Sequence, residues 1–473
     1  MTMDGHTSKT GTGRYWIDEW HPDDEQFWKT TGKPIARRNL LWSIVAEHIG
    51  FSVWLVWSVV ATRLPKLGFP YTTDQLFSLV ALPGLIGSLM RFPYTFAVPR
   101  FGGRNWTIVS AALLFIPTTL VAILVTRPTT PYWAMVLAAG TAGLGGGNFA
   151  SSMANISFFY PDKEKGFALG LNAAGGNIGV STVQLLIPIV LGLPIFNLYL
   201  GKAQGPAHNI YLQNAGLFWY PLIAIAIFGA ARYMNNLTSA RSNFKDQLVI
   251  ARHKHTWVMA WLYIGTFGSF IGYSAAFPLL LKTQFPELSM NLAFLGALVG
   301  SIARPIGGKL ADRIGGARVT LWNFVAMALA TLGVIHFVHE HSFAGFLAAF
   351  LVLFVTTGLG NGSTFRMIPV IFRRQHLQAV HGQGAEAQRG ALATARREAA
   401  AVLGFTSAIG ACGGFLIPRS FGASIKATGG AEAALFGFLA FYATCIAITW
   451  WFYARRAAVP AAEMAHSLAQ GRV

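Results

Sequence analysis

Twelve predominantly apolar runs, each close to the length of a membrane crossing, dominate this sequence. They lie near residues 40–62, 73–97, 105–126, 132–157, 166–194, 216–234, 256–281, 290–310, 319–338, 343–372, 400–424 and 430–454. Such runs leave little choice of solvent. A hydrocarbon core about 30 Å thick takes a helix of roughly 20 apolar residues. Backbone groups inside it must be satisfied within the segment or in a closed barrel. These runs are continuously apolar rather than alternating, so they predict helices and not barrel strands. Of the 473 residues, 53% are hydrophobic and 11% are charged, against about 25% charged in an ordinary soluble domain. The expected class is an all-α membrane protein with twelve transmembrane helices.

The formal net charge of +18 is a matter of distribution. Lys and Arg crowd the segments that share a side with the N-terminus, among them 232–254, 309–318 and 373–397. The opposite side holds Arg63, Lys66, Arg127, Lys202, Lys282, Arg419 and Lys426. By the positive-inside tendency both termini are predicted to be cytoplasmic, and the protein is predicted to reside in a cell inner (plasma) membrane. The lipid bilayer, and not nucleic acid, is the partner this excess implies. The polar first 38 residues lack the basic start and short apolar core of a cleavable signal. Cys412 and Cys445 fall within spans, so neither a disulfide framework nor a cysteine metal site is expected.

Two arginines interrupt the apolar pattern: Arg91 in the second run and Arg304 in the eighth. A guanidinium at the middle of a membrane costs about 2.5–3.5 kcal/mol on insertion scales. The segments after the two arginines repeat, RFGG at 100–103 and RIGG at 313–316, and TAGLGGG at 141–147 repeats as TTGLGNG at 356–362. The chain thus reads as two pseudo-symmetric six-helix halves, 39–234 and 256–455. A cytoplasmic segment (1–38), an interhalf loop (235–255) and a tail (456–473) flank them. Parallel six-helix repeats are the layout of major-facilitator carriers, with substrate near the midplane between halves. GGKLADRIGGAR at 307–318 resembles the loop motif of that superfamily. Two arginines at matching places predict one anion held between the halves. Glycine-rich faces at 143–147, 170–179 and 404–414 predict close helix packing, on which the halves could pivot.

GLGGGNFASSMANISFFYPDKEKGFALGLNAAGGNIGVS at 143–181 and GLGNGSTFRMIPVIF at 358–372 resemble the two signatures of the NarK-type nitrate/nitrite porters. YTTDQLF at 71–77, KTQFP at 282–286 and GFTSAIGACGGFLIPRSFG at 404–422 agree, and the likeness runs from about residue 15 to 455. The resemblance implies transport of nitrate and nitrite without cofactor or catalysis. It implies that Arg91 and Arg304 clamp the anion, that Asn177 faces it, and that Phe149, Tyr263 and Phe267 wall the pocket. A monomer is expected. Guanidinium forks suit a small planar oxoanion.

The sequence departs from that pattern at Glu47, followed by His48, in the first run and at Arg366 in the tenth. One reading pairs Glu47 with Arg366, each offsetting the other's burial. Another makes Glu47, with His48, a proton site for nitrate/proton symport; in a third the two groups do not meet. A Glu47–Arg366 pair would leave Arg91 and Arg304 without a carboxylate. Reorientation of the empty carrier would then be slow, favouring nitrate/nitrite antiport. A non-transporting nitrate receptor is the remaining alternative. His336, His339, Glu340 and His341 lack the HExxH spacing and are not expected to bind metal. No phosphate-binding loop or nucleophile motif appears, and the stretch 375–399 reads as a linker with some helix.

Overall fold

The computed structural model describes residues 15–195, 203–205, 209–240, 249–287 and 292–455. The start of the N-terminal segment, residues 241–248 of the interhalf loop and the tail from 456 lie outside the described residues. A helical rod stands on each of the twelve apolar runs. In chain order they are α1 (Glu25–Arg63), α2 (Thr73–Phe101), α3 (Gly103–Leu124), α4 (Tyr132–Phe159), α5 (Lys163–Val190), α6 (Asn214–Tyr233), α7 (Lys254–Gln284), α8 (Phe294–Ile314), α9 (Gly316–His339), α10 (Phe343–Ala379), α11 (Ala385–Thr428) and α12 (Glu432–Ala454). Ten are long and apolar enough to cross a membrane by composition alone; α4 and α8 are not among them. Their composition accounts for this. Arg304, Lys309, Asp312 and Arg313 interrupt α8, and glycine, serine and asparagine fill the second half of α4.

Several rods run further than their apolar segments. Most of 375–399 is helix and not linker: α10 continues to Ala379 and α11 starts at Ala385. Alanine is the best helix former, so propensity carries these ends beyond the apolar stretch. At the other end, Asp24 caps the start of α1, accepting from the backbone N–H of Phe27 at 2.7 Å. The preceding segment folds back. Trp16–Ile17 pairs in parallel with Asn236–Leu237, just beyond α6. Trp20 and Trp28 pack into a small core with Phe159 and Tyr160, and Trp28 Nε1 donates to Glu164 at 2.9 Å.

Helices α1–α6 pack mainly among themselves, as do α7–α12. The two groups meet through α1 with α7, α2 with α11, and α5 with α8. At the α2–α11 crossing Gly84 sits against Gly414 with no space for a side chain. A Cβ on Gly84 would fall 2.2 Å from the Gly414 carbonyl carbon. Only glycine lets the two backbones approach this closely. Gly170, by contrast, has nothing within 4 Å of its Cβ direction. Gly84→Ala should therefore lower the apparent melting temperature in detergent, by overpacking of about 1–3 kcal/mol, while Gly170→Ala, in an open mid-helix position, should hold or slightly raise it. Equal melting temperatures for the two variants would contradict the close crossing.

Candidate functional site

Arg91 and Arg304 come from opposite groups of helices and converge on the same aromatic rings. Arg91 is fully buried and Arg304 is 4% exposed. The Arg91 guanidinium carbon lies 4.6 Å from the centre of the Phe149 ring and 4.8 Å from that of Phe267. The Arg304 guanidinium lies 5.5 Å from the same Phe149 ring. Phe149 stacks on Phe267 with ring centres 6.0 Å apart, and Phe267 stacks on Tyr263 at 5.4 Å. The phenolic oxygen of Tyr263 accepts a long contact, 3.4 Å, from Arg304 Nη2. One continuous aromatic stack thus underlies both cations, and each ring face attracts them electrostatically.

Local helix distortions aim these groups. Pro93 lies two residues after Arg91 and Pro305 directly follows Arg304, both inside their helices. Each removes a backbone hydrogen bond and bends its rod. Tyr263 immediately precedes a wide π-type turn at Ile264–Gly268, and Phe267 lies within it; such turns recur at functional sites. Arg91 is held by main-chain oxygens: Nε donates to Gly146 at 3.1 Å and Nη1 to Ser407 at 2.8 Å. Arg91 Nη2 and Arg304 Nη1 are buried with no hydrogen-bond partner, and neither arginine forms an ion pair among the described residues. Asn177 is also buried, with both amide atoms unpartnered. Buried donors of this kind are rarely left unmet in a finished interior. This arrangement can accept a small anion.

The sequence matches the Major Facilitator Superfamily family model over residues 46–383. It is 46% identical over 449 residues to a protein of Escherichia coli (strain K12), "Nitrate/nitrite transporter NarU", covering 94% of this chain and 97% of that one. It is 38% identical to the "Probable nitrate/nitrite antiporter NarK2" of Thermus thermophilus, again over 94% of this chain and 97% of the relative. The chain is a nitrate/nitrite porter of the major facilitator superfamily by descent. A solved bacterial homolog of the human lysosomal transporter Spinster, inward-facing and occupied, covers 88% of this chain and 97% of that chain. Its TM-score is 0.60 at 13% identity, a likeness of fold alone.

Against this porter frame, Glu47 and Arg366 do not pair. Arg366 lies near the turn from α8 to α9, where its Nε meets Asp312 at 2.5 Å, and both side chains are about half exposed at 48% and 50%. Glu47 is fully buried. Its Oε2 accepts from Ser152 Oγ and, at 2.7 Å, from Asn172 Nδ2. The reason is helix length. The 37-residue α10 carries Arg366 past the apolar interior to the level of the α8–α9 turn, where a carboxylate was already available. Nor does His48 join Glu47: its Nδ1 donates to the Gly175 carbonyl at 3.0 Å, tying α1 to α5.

Five site residues escaped sequence reasoning. Trp54 lies 5.5 Å from the Arg91 guanidinium and Phe365 lies 5.5 Å from that of Arg304. Ser407 supplies only a carbonyl, and Ser152 and Asn172 hold Glu47. The internal repeat could have flagged Phe365, which sits one residue out of register with Phe149 in the second signature. Separation of the two acid–base groups has a measurable consequence. Glu47→Gln and Arg366→Gln should act additively on stability, within about 0.3–0.5 kcal/mol. Asp312→Asn and Arg366→Gln should couple by roughly 0.2–1 kcal/mol, as exposed pairs do. Coupling confined to the first pair in a double-mutant cycle would reverse the assignment.

Proposed function

We propose that this protein is a secondary transporter of nitrate and nitrite that exchanges the two anions by alternating access. Arg91 and Arg304 clamp one anion between the halves. The observation that carries this reading is the shared Phe149 ring under two guanidiniums from opposite groups of helices, each with an N–H free to donate. A planar monoanion can bridge two such forks, and the aromatic walls exclude water and strengthen the contact. The relatives named as nitrate/nitrite transporter and probable antiporter support the substrate and the exchange. The basic asymmetry of the loops supports an inner-membrane protein with both termini cytoplasmic.

Arg91 gives the site a reason to respond to its substrate. Its Nε is bound within its own half, by Gly146, and its Nη1 by Ser407 across the α2–α11 contact. Parting the halves on that side strips Arg91 of the Ser407 carbonyl, and an anion oxygen can replace it. Bound anion and opened site therefore stabilise one another.

The test is uptake of labelled nitrate into liposomes carrying the purified protein, with and without internal nitrite. Accelerated uptake with nitrite inside is expected; binding without flux would instead indicate a receptor. Arg91→Lys and Arg304→Lys should each weaken transport, because an ammonium cannot reproduce the planar fork. Loss of a charged hydrogen bond of about 1.5–3 kcal/mol corresponds to roughly a ten- to hundredfold fall in affinity. Near-normal flux in either variant would contradict the clamp.

A further inference from the structure

Asn361 sits on α10 between two glycines that press the helix against the anion site. Gly360, before it, abuts Thr266: a Cβ there would fall 2.7 Å from Thr266 Cγ2. Thr266 directly precedes Phe267 in the π-type turn of α7. Gly362, after it, abuts the main-chain carbonyl of Arg304 on α8. Thr364 shares a hydrogen bond with Thr266 at 3.1 Å, and Phe365 lies 5.5 Å from the Arg304 guanidinium. Residues 361 and 365 are one helical turn apart, on the same face. Asn361 therefore occupies the notch between the aromatic stack and the second arginine.

The internal repeat marks the same residue. TAGLGGG at 141–147 aligns with TTGLGNG at 356–362, which sets Asn361 opposite Gly146. Gly146 offers Arg91 only its carbonyl; the matching place beside Arg304 carries an amide. The Arg304 guanidinium has only its long contact with Tyr263, at 3.4 Å, among the described residues. Asn361 is fully buried, and neither its amide nitrogen nor its amide oxygen has a hydrogen-bond partner. Taking an amide out of water without replacing its hydrogen bonds is costly, so such a group implies a missing partner. Asn361 brings two N–H donors and one acceptor to that partner.

We propose that Asn361 is an anion ligand that favours nitrate over nitrite, its amide N–H donating to the third oxygen of nitrate. The proposal rests on the reading of Arg91 and Arg304 as the anion clamp. Nitrate and nitrite are both planar and carry the same charge, so two guanidiniums alone separate them poorly. They differ in their number of oxygens. Two oxygens of either anion can take the two forks, and only nitrate has another to meet the amide. With nitrite bound, the Asn361 donor stays buried and unmet. A site built to hydrogen-bond a group rejects the analogue that lacks it in this way. The bare Nη1 of Arg304 has two N–H groups, one for the anion and one for the Asn361 oxygen. Asn177 supplies a second bare amide from the opposite half.

The test is calorimetric titration of nitrate and, separately, of nitrite into the purified full-length protein and its Asn361→Leu, Asn361→Ala and Asn361→Ser variants. Leu keeps nearly the same volume and Ala leaves space; neither can donate, and if one fails to fold the other carries the same readout. Nitrate affinity should fall roughly ten- to hundredfold in both, with nitrite affinity changed by less than about threefold. Ser keeps an O–H and should recover part of the nitrate affinity. Unchanged nitrate affinity in the Leu and Ala variants overturns the proposal and leaves the two-arginine site standing. Equal weakening of both anions, together with a lower melting temperature of the anion-free protein, assigns Asn361 to packing and also overturns it. Failure of the wild-type protein to bind nitrate overturns both this inference and the reading beneath it.

Discussion

Two guanidiniums stripped of water and of carboxylate partners set the terms for everything around them. Such burial is tolerated only where other groups replace hydration. Here the replacements are main-chain carbonyls, a phenol and aromatic faces, none of which neutralises the charge. The Gly146 and Ser407 oxygens orient Arg91, Phe149 and Phe267 lie beneath it, and Phe365 and Tyr263 serve Arg304. Under the proposed function, that surplus positive charge is what draws an anion to the centre of the protein. It also explains the irregular backbone. Prolines close after both arginines and a π-type turn that follows Tyr263 and contains Phe267 aim side chains of three rods at one point.

In the proposed alternating-access cycle, the site and the moving parts share atoms. Arg91 reaches across to Ser407, and Ser88, one turn earlier on α2, donates to the Ala408 carbonyl at 2.6 Å. Together with the Gly84–Gly414 crossing, these contacts make the α2–α11 seam both tight and breakable. Smooth glycine surfaces allow close approach without interlocking side chains. A few directional hydrogen bonds tie the two helices together, and one of them belongs to Arg91, the proposed anion ligand.

What could be read beforehand divides along physical lines. Apolar runs of membrane length located the twelve rods seen among the described residues, because in hydrocarbon the backbone has no other way to satisfy itself. Arg91 and Arg304 were legible because a charge inside such a run is conspicuous; Phe149, Tyr263 and Phe267 were named only through the family likeness. The pairing of Glu47 with Arg366 failed because span boundaries read from hydropathy say nothing of how far a helix continues. α10 carries Arg366 to Asp312, far along the rod. Ser407 contributes a carbonyl, which no side-chain pattern announces. Ser152 and Asn172 look like ordinary small polar residues of a packed signature until Glu47 is placed between them.

The central claim is that two arginines from two halves make one site. Calorimetric titration of nitrate into the wild type and into Arg91→Ala and Arg304→Ala tests it most directly, through stoichiometry. The account predicts one nitrate per wild-type chain and collapse of that single binding event in either variant. Two nitrates per chain, with each variant losing only one, would show that the arginines serve separate sites and would contradict the account.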